Sequence, residues 1–193
     1  MHAQEIEQFQ MYGQDIPWLL AHWADRKPDH AALVWAPKDG AGRRWTYAEL
    51  LAEVRQLAAG LSARGIGTGD KVLIHAENCP EMVLSWLACS VVGAVAVTTN
   101  TKSVGAEMTY FAEHTGAVAA ITQPQFAAMV AEAAPALKWI VVTEDNSGEA
   151  ATADEQAHGF DAFASLYADG WSGRPAEPML PFGIMFTSGT TSR

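Results

Sequence analysis

Residues 46–76, TYAELLAEVRQLAAGLSARGIGTGDKVLIHA, hold one helix, one glycine turn and one strand. Thr46 and Glu49 stand at capping-box spacing, where each side chain satisfies a backbone donor left open by the first helical turn. Tyr47, Leu50, Leu51, Val54, Leu57, Ala58 and Leu61 then recur on one face at the helical period. Gly65 ends this unit, so the spacing predicts a helix within residues 45–65. Gly65-Ile66-Gly67-Thr68-Gly69-Asp70 turns the chain into a strand over 71–76. The glycines resemble a dinucleotide fingerprint, but their order is reversed. That fingerprint runs strand, glycines, helix; this segment runs helix, glycines, strand.

The same module recurs downstream. Asn78 and Glu81 are spaced to cap a second helix, with Pro80 tolerated in its first turn. Its apolar side is expected to include Met82, Val83, Trp86, Leu87 and Val91, with Gly93 as its stop and a short strand over 94–98. A third helix over 103–114 halts near Gly116, before a strand over 118–122. A fourth runs from Pro124 toward Pro135 and leads to a strand over 139–142. Helices alternating with short Val/Ile-rich strands imply an α/β fold: a doubly wound, mostly parallel sheet with helices on both faces. Residues 144–154 are acidic, small and aperiodic, and are expected to form an exposed loop. A short helix is expected over 160–168. Gly170, Gly173, Pro175, Pro178 and Pro181 then mark a linker. The expected organisation is an α/β subdomain over 1–169, a linker over 170–181, and over 182–193 a strand with the first part of the next subdomain.

Composition narrows the function. The 193 residues are 49% hydrophobic and 18% charged, enough for one good core. A net charge of −10 and a pI near 4.9 argue against a nucleic-acid or anionic-membrane surface. A single nucleotide is still compatible, because a phosphate loop works through backbone dipoles. No stretch reaches the roughly 20 apolar residues of a membrane span, and no secretion signal opens the chain. Cys79 and Cys89 fall in one expected helix, ten positions or about 15 Å apart, too far for a disulfide. Two thiols that share no disulfide fit a cytoplasmic protein and read as small buried hydrophobes.

The six histidines show no metal-ligand spacing. His75, beside Glu77 at a strand end, reads as a satisfied structural histidine. Glu81 reads as a helix cap rather than half of a catalytic carboxylate pair. Trp23, Trp45 and Trp86 sit in apolar periodic contexts and read as core.

The chain closes on an apolar strand, Phe182-Gly183-Ile184-Met185-Phe186, running into Thr187-Ser188-Gly189-Thr190-Thr191-Ser192-Arg193. Backbone N–H groups in such a small-residue turn can converge on phosphate oxygens, and hydroxyls add donors at little steric cost. A hydrolase nucleophile elbow is excluded, because no glycine stands two residues before Ser188. A Walker loop is excluded, because no Gly-Lys-Ser/Thr is present here. The sequence ends inside this motif, and a longer parent protein is expected.

Residues 184–193 resemble the phosphate-binding signature of the adenylate-forming enzymes, the superfamily of acyl-CoA ligases, luciferases and peptide-synthetase adenylation domains. Trp45-Thr46-Tyr47-Ala48-Glu49-Leu50 resembles its first core motif. Residues 88–100, with Gly93-Ala94-Val95-Ala96-Val97, resemble its second. Gly69-Asp70-Lys71-Val72 and Asn78-Cys79-Pro80-Glu81 also fall where the family has them, and the similarity runs from about residue 15 onward. Most members carry Gly where this chain has Ser192. Ser192-Arg193 with Asn78-Cys79-Pro80-Glu81 is most similar to the carnitine/crotonobetaine-CoA ligase branch.

The resemblance implies a ligase that joins a small-molecule carboxylic acid to the AMP part of ATP, releasing pyrophosphate with the help of Mg2+, and passes the acyl group to coenzyme A, releasing AMP. It also implies that Thr187, Ser188, Gly189, Thr190, Thr191, Ser192 and Arg193 hold phosphate. The loop lysine, adenine and acyl pockets, magnesium-binding carboxylate and C-terminal catalytic lysine would lie beyond Arg193, leaving this stretch inactive by itself. A non-catalytic interaction module on the same scaffold, or an adenylation domain loading a carrier protein, remains open on the same motifs.

Overall fold

A computed structural model describes residues 13–38, 40–146, 149–150 and 160–186. Helix α1 (Ile16–Arg26) opens on Asp15, whose carboxylate accepts the Trp18 N–H at 2.8 Å. Strands β1 (Ala31–Trp35) and β2 (Arg43–Thr46) pair antiparallel, with a bulge between Ala31 and Leu33. Helix α2 (Tyr47–Ala63) starts at Thr46 through the expected reciprocal cap: Glu49 N–H to Thr46 Oγ1 at 3.2 Å, and Thr46 N–H to Glu49 Oε2 at 2.8 Å. These two bonds satisfy donors that the first turn cannot.

From there the chain builds the sheet. Strand β3 (Lys71–His75) is followed by α3 (Pro80–Val92), β4 (Val95–Thr98), α4 (Gly105–Thr115), β5 (Ala119–Thr122), α5 (Pro124–Ala133) and β6 (Ile140–Val142). A two-residue hairpin, β7 (Asp145–Asn146) with β8 (Glu149–Ala150), stands within the acidic stretch expected as open loop. Strand β9 (Asp161–Ala162) and a single 3-10 turn (Phe163–Leu166) replace the helix expected over 160–168. Strand β10 (Gly183–Met185) ends the described chain.

Six strands lie in the order β10-β4-β3-β5-β6-β9, and every pairing is parallel. The expected doubly wound α/β architecture is therefore what forms. Its two faces follow from side-chain alternation along the strands. Val72, Ile74, Ala96, Ala119, Ile121 and Val141 face α2 and α3, meeting Leu50, Val54, Leu57, Leu61, Leu84 and Ala88. Leu73, Val97 and Ala120 face α4 and the residues around α5, meeting Met108, Phe111, Ala112, Val130 and Ala134.

Three local expectations change. The α3 cap is Cys79, without a side-chain cap bond, because Pro80 takes the first helical position; Asn78 is exposed and Glu81 buried. The buried side of α3 centres on Leu84, Ala88, Cys89 and Val92, while Met82, Trp86 and Leu87 only pack at its margin. The helix packs against the sheet and also against α1 and α2, so a single amphipathic stripe is the wrong expectation for it. Trp45 is core, but Trp86 is half-buried, as is Trp23, which sits under the Lys27 ammonium.

Bonds to Glu53 and to the Gln56 carbonyl, and a close approach at Gly60, fasten the chain after β9 to α2. Glu53 accepts from Arg43 Nη2, Trp45 Nε1 and Tyr167 Oη, each at 2.6 Å. Burial, reinforced by this bond and by the Glu53 charge, pushes the Tyr167 hydroxyl above its ordinary pKa. Gly60 lets the 3-10 turn lie directly on α2: a Cβ there would stand 1.6 Å from the Leu166 carbonyl oxygen. Backbone cannot yield as a flexible side chain can. Gly60→Ala is therefore expected to lower unfolding stability by about 2 kcal/mol or more in urea titration. An unchanged midpoint would show that the turn is not seated there.

Candidate functional site

All strands of the main sheet run the same way, so their carboxyl ends share one edge. At that edge β3 ends in His75, β4 leads into Thr99 and Asn100, β5 into Gln123, and β6 into Thr143. These residues interlock. The His75 carbonyl accepts from Thr122 Oγ1 at 2.7 Å, and His75 Nδ1 lies 2.8 Å from Thr99 Oγ1. The Glu77 N–H donates to Gln123 Oε1 at 2.9 Å, and the Thr143 N–H to the Thr122 carbonyl at 2.9 Å.

In open parallel sheets, ligands favour the crevice where neighbouring strands send their helices to opposite faces. Here that position lies between β3 and β5. It is closed by the chain itself, through Gln123 and fully buried His75, whose ring meets Phe126 edge-on at 4.7 Å. Burial lowers the His75 pKa from 6.5 to about 4, so the ring is neutral near pH 7. The expectation of a fully satisfied histidine is half right: Nδ1 is bonded, and Nε2 has no hydrogen-bond partner among the described residues.

On the other side of β3 the sheet ends at β10. This strand lies beside β4, with Met185 opposite Thr98. Its carboxyl end therefore points the same way as the Thr99–Ser103 turn. In that turn Asn100 accepts the Lys102 N–H on Oδ1 at 2.9 Å and the Ser103 N–H on its carbonyl at 2.9 Å. Phe186 extends the strand and packs on Phe111 at 4.2 Å. The seven residues singled out for phosphate binding, Thr187, Ser188, Gly189, Thr190, Thr191, Ser192 and Arg193, lie outside the described residues.

Sequence reading took Thr99 and Asn100 only as the end of a family-like motif and did not single out the turn they form with Lys102. The available signal was positional, since residues just after each strand of a parallel sheet line its carboxyl edge. Among the described residues, no group of three or more His, Cys, Asp or Glu side chains could hold a metal ion. No helix among them is long and apolar enough to cross a membrane.

The AMP-binding enzyme family model matches residues 20–193, the hydroxyl-rich segment included. The chain belongs to the AMP-binding enzyme family. It is 29% identical to the crotonobetaine/carnitine–CoA ligases of Salmonella heidelberg and Salmonella typhimurium, over 94% of this chain and 35% of theirs. It thus spans about a third of the length of these curated relatives. Among solved structures it resembles Mycobacterium smegmatis MbtA, with a TM-score of 0.77 and 25% identity over 98% of this chain and 35% of that one. Acetoacetyl-CoA synthetase from Streptomyces lividans shares the fold, with a TM-score of 0.74 and 23% identity over 92% of this chain and 29% of that one.

The buried imidazole gives the sheet edge a measurable pH signature. Because its folded pKa (about 4) lies below the ordinary 6.5, the unfolded chain takes up a proton that the folded form excludes. The stabilising contribution is complete above pH 6.5 and is lost as pH falls toward 4. Between pH 7 and 4.5, the protein should lose about 2 kcal/mol more unfolding stability than its His75→Gln variant, by urea titration. Parallel losses in the two proteins would place the ring in contact with water.

Proposed function

We propose that this chain is the N-terminal α/β portion of an ATP-dependent acid–thiol ligase whose segment Thr187–Arg193 grips the outer phosphates of ATP. The observation that carries this reading is the placement of β10. A three-residue strand, parallel to β4, brings the chain to the carboxyl edge of the sheet one residue before the hydroxyl-rich segment begins. Family membership and the ligase names of the curated relatives support the same reading.

In this proposal a carboxylate oxygen attacks the α-phosphorus of ATP, a P–O bond to pyrophosphate breaks, and an acyl-adenylate forms. The sulfur of a thiol, that of coenzyme A, then attacks the acyl carbon and AMP leaves with the bonding pair. Mg2+, when bound, would neutralise phosphate charge. The backbone N–H groups of Ser188–Thr191 and the hydroxyls of Thr187, Ser188, Thr190 and Thr191 would fix the β- and γ-phosphates. The α-phosphorus is then held in line with the attacking oxygen, the main protein contribution to phosphoryl chemistry. Ser192 and Arg193 would extend the cradle. His75, neutral and enclosed, would shape the edge without contributing charge.

Residues 1–169 would form the first subdomain, 170–181 a linker, and 182–193 the passage into the next. Cys79 and Cys89, buried and not joined in a disulfide, support a cytoplasmic setting. The acyl pocket and the groups completing catalysis would lie in the remaining two thirds of a protein as long as its relatives.

The longer protein should catalyse carboxylate-dependent ATP–pyrophosphate exchange, and residues 1–193 alone should not. Thr190→Ala in the longer protein should lower kcat/KM for ATP by at least about tenfold, as expected on losing one phosphate donor. Exchange by residues 1–193 alone, or full activity in Thr190→Ala, would contradict this assignment.

A further inference from the structure

Arg174 lies in the segment leading to β10, at the end of the sheet opposite to the proposed phosphate loop. Its Nε donates to the Val91 carbonyl at 3.1 Å and its Nη2 to the Ser90 carbonyl at 2.9 Å. These are acceptors at the C-terminus of α3, where a helix favours a cation. Nη1 donates to the Pro175 carbonyl at 2.9 Å. Nη2 also meets Asp15 Oδ2 at 3.1 Å, with only 16% of the arginine and 9% of the aspartate side chain exposed.

Asp15 is shared in turn. Oδ1 caps α1 through the Trp18 N–H, and Oδ2 accepts the Glu177 N–H at 3.1 Å. One ion pair therefore joins the start of α1, the end of α3 and the segment that feeds β10. Gly93 (φ +84°) is part of the fit: a Cβ there would stand 2.8 Å from Thr68 Oγ1 and 3.3 Å from Arg174 Nε. The planar fork suits this place, because it addresses three carbonyls and a carboxylate in fixed directions, which an ammonium cannot do.

The strand needs such an anchor. β10 has three residues and, among the described residues, pairs only with β4. Its approach is fixed by the Ala96 N–H bonding to the Phe182 carbonyl at 3.1 Å and by Phe182 standing edge-on to Trp86 at 5.2 Å. Ile184 and Phe186 pack toward α4, and Met185 is 81% exposed. A slip of one residue would exchange Ile184 for Met185 and reverse every side chain that follows.

We propose that the Arg174–Asp15 clamp is a positioning device that sets the register of β10 on β4, and with it the point from which Thr187–Arg193 leaves the sheet. The effect on catalysis rests on the ligase reading; the effect on the strand does not.

Two measurements separate them. In residues 1–193, hydrogen–deuterium exchange of the amides of Ala96 and Gly183–Phe186 should quicken at least tenfold in Arg174→Ala and in Asp15→Asn. The amides of Val72–Ile74 and Ala119–Ile121 should keep their wild-type rates. Asp15→Asn retains an oxygen to cap α1, which keeps the test usable if the arginine variant folds poorly. In the longer protein both variants should raise the KM for ATP at least fivefold and leave the KM for the carboxylic acid unchanged, and Arg174→Lys should not restore it. Unchanged β10 exchange, or acceleration spread evenly over the sheet, would overturn the clamp. If the wild-type longer protein shows no ATP–pyrophosphate exchange, the ligase reading fails while the exchange data still decide the clamp.

Discussion

Parallel strands cannot be joined by hairpins, so each step between neighbours must cross a face of the sheet, here mostly through a helix. That constraint organises this molecule around β3. Leaving β3, the chain crosses one face through α3 to reach β4. It then crosses the other face through α4 to reach β5, on the far side of β3. The two crossings bury β3 on both faces and align every carboxyl end at one edge. The core serves this geometry, and so does the proposed chemistry: a loop following any of these strands emerges at that edge.

The two ends of the sheet have different characters. At the carboxyl edge, His75 bonds Thr99 and Thr122, and the Glu77 N–H bonds Gln123, across adjacent strands. The crevice beside β3 is thereby filled, and the flank beside β10 is where the hydroxyl-rich segment starts. At the amino end an apolar cavity of about 280 Å³ is lined by Trp18, Leu19, Ala94, Leu180 and Phe182, with Asp15 and Arg174 beside them. Polar groups there are engaged in holding segments together. That division supports assigning binding to the carboxyl edge and anchoring to the amino end.

Much of this was legible in the residues themselves. The Thr46–Glu49 box and the Leu50-Val54-Leu57-Leu61 spacing located α2, because a solvent-facing helix leaves an amphipathic trace. The Val-rich runs located β3, β4, β5 and β6. Helix α3 was located but its face misread, since burial on more than one side erases the stripe. The β1–β2 pair and α1 went unread: the strands are short, and Trp18, Trp23 and Trp35 stay half-buried while only Trp45 enters the core. The 3-10 turn and the Glu53 bonds to Arg43, Trp45 and Tyr167 depend on partners distant in the chain, which no local pattern reports. The hydroxyl-rich segment proposed to bind phosphate was the most distinctive stretch of the sequence. The Arg174–Asp15 clamp was invisible there, because proline and glycine around Arg174 read only as linker.

The sharpest test is a crystal structure of the longer protein bound to a non-hydrolysable ATP analogue. Its β- and γ-phosphate oxygens are expected within about 3 Å of the backbone nitrogens of Ser188–Thr191, at the sheet edge shared by Thr99 and His75. A nucleotide lodged elsewhere, in the Trp18–Phe182 cavity at the amino end for instance, would contradict the assignment of this segment to ATP.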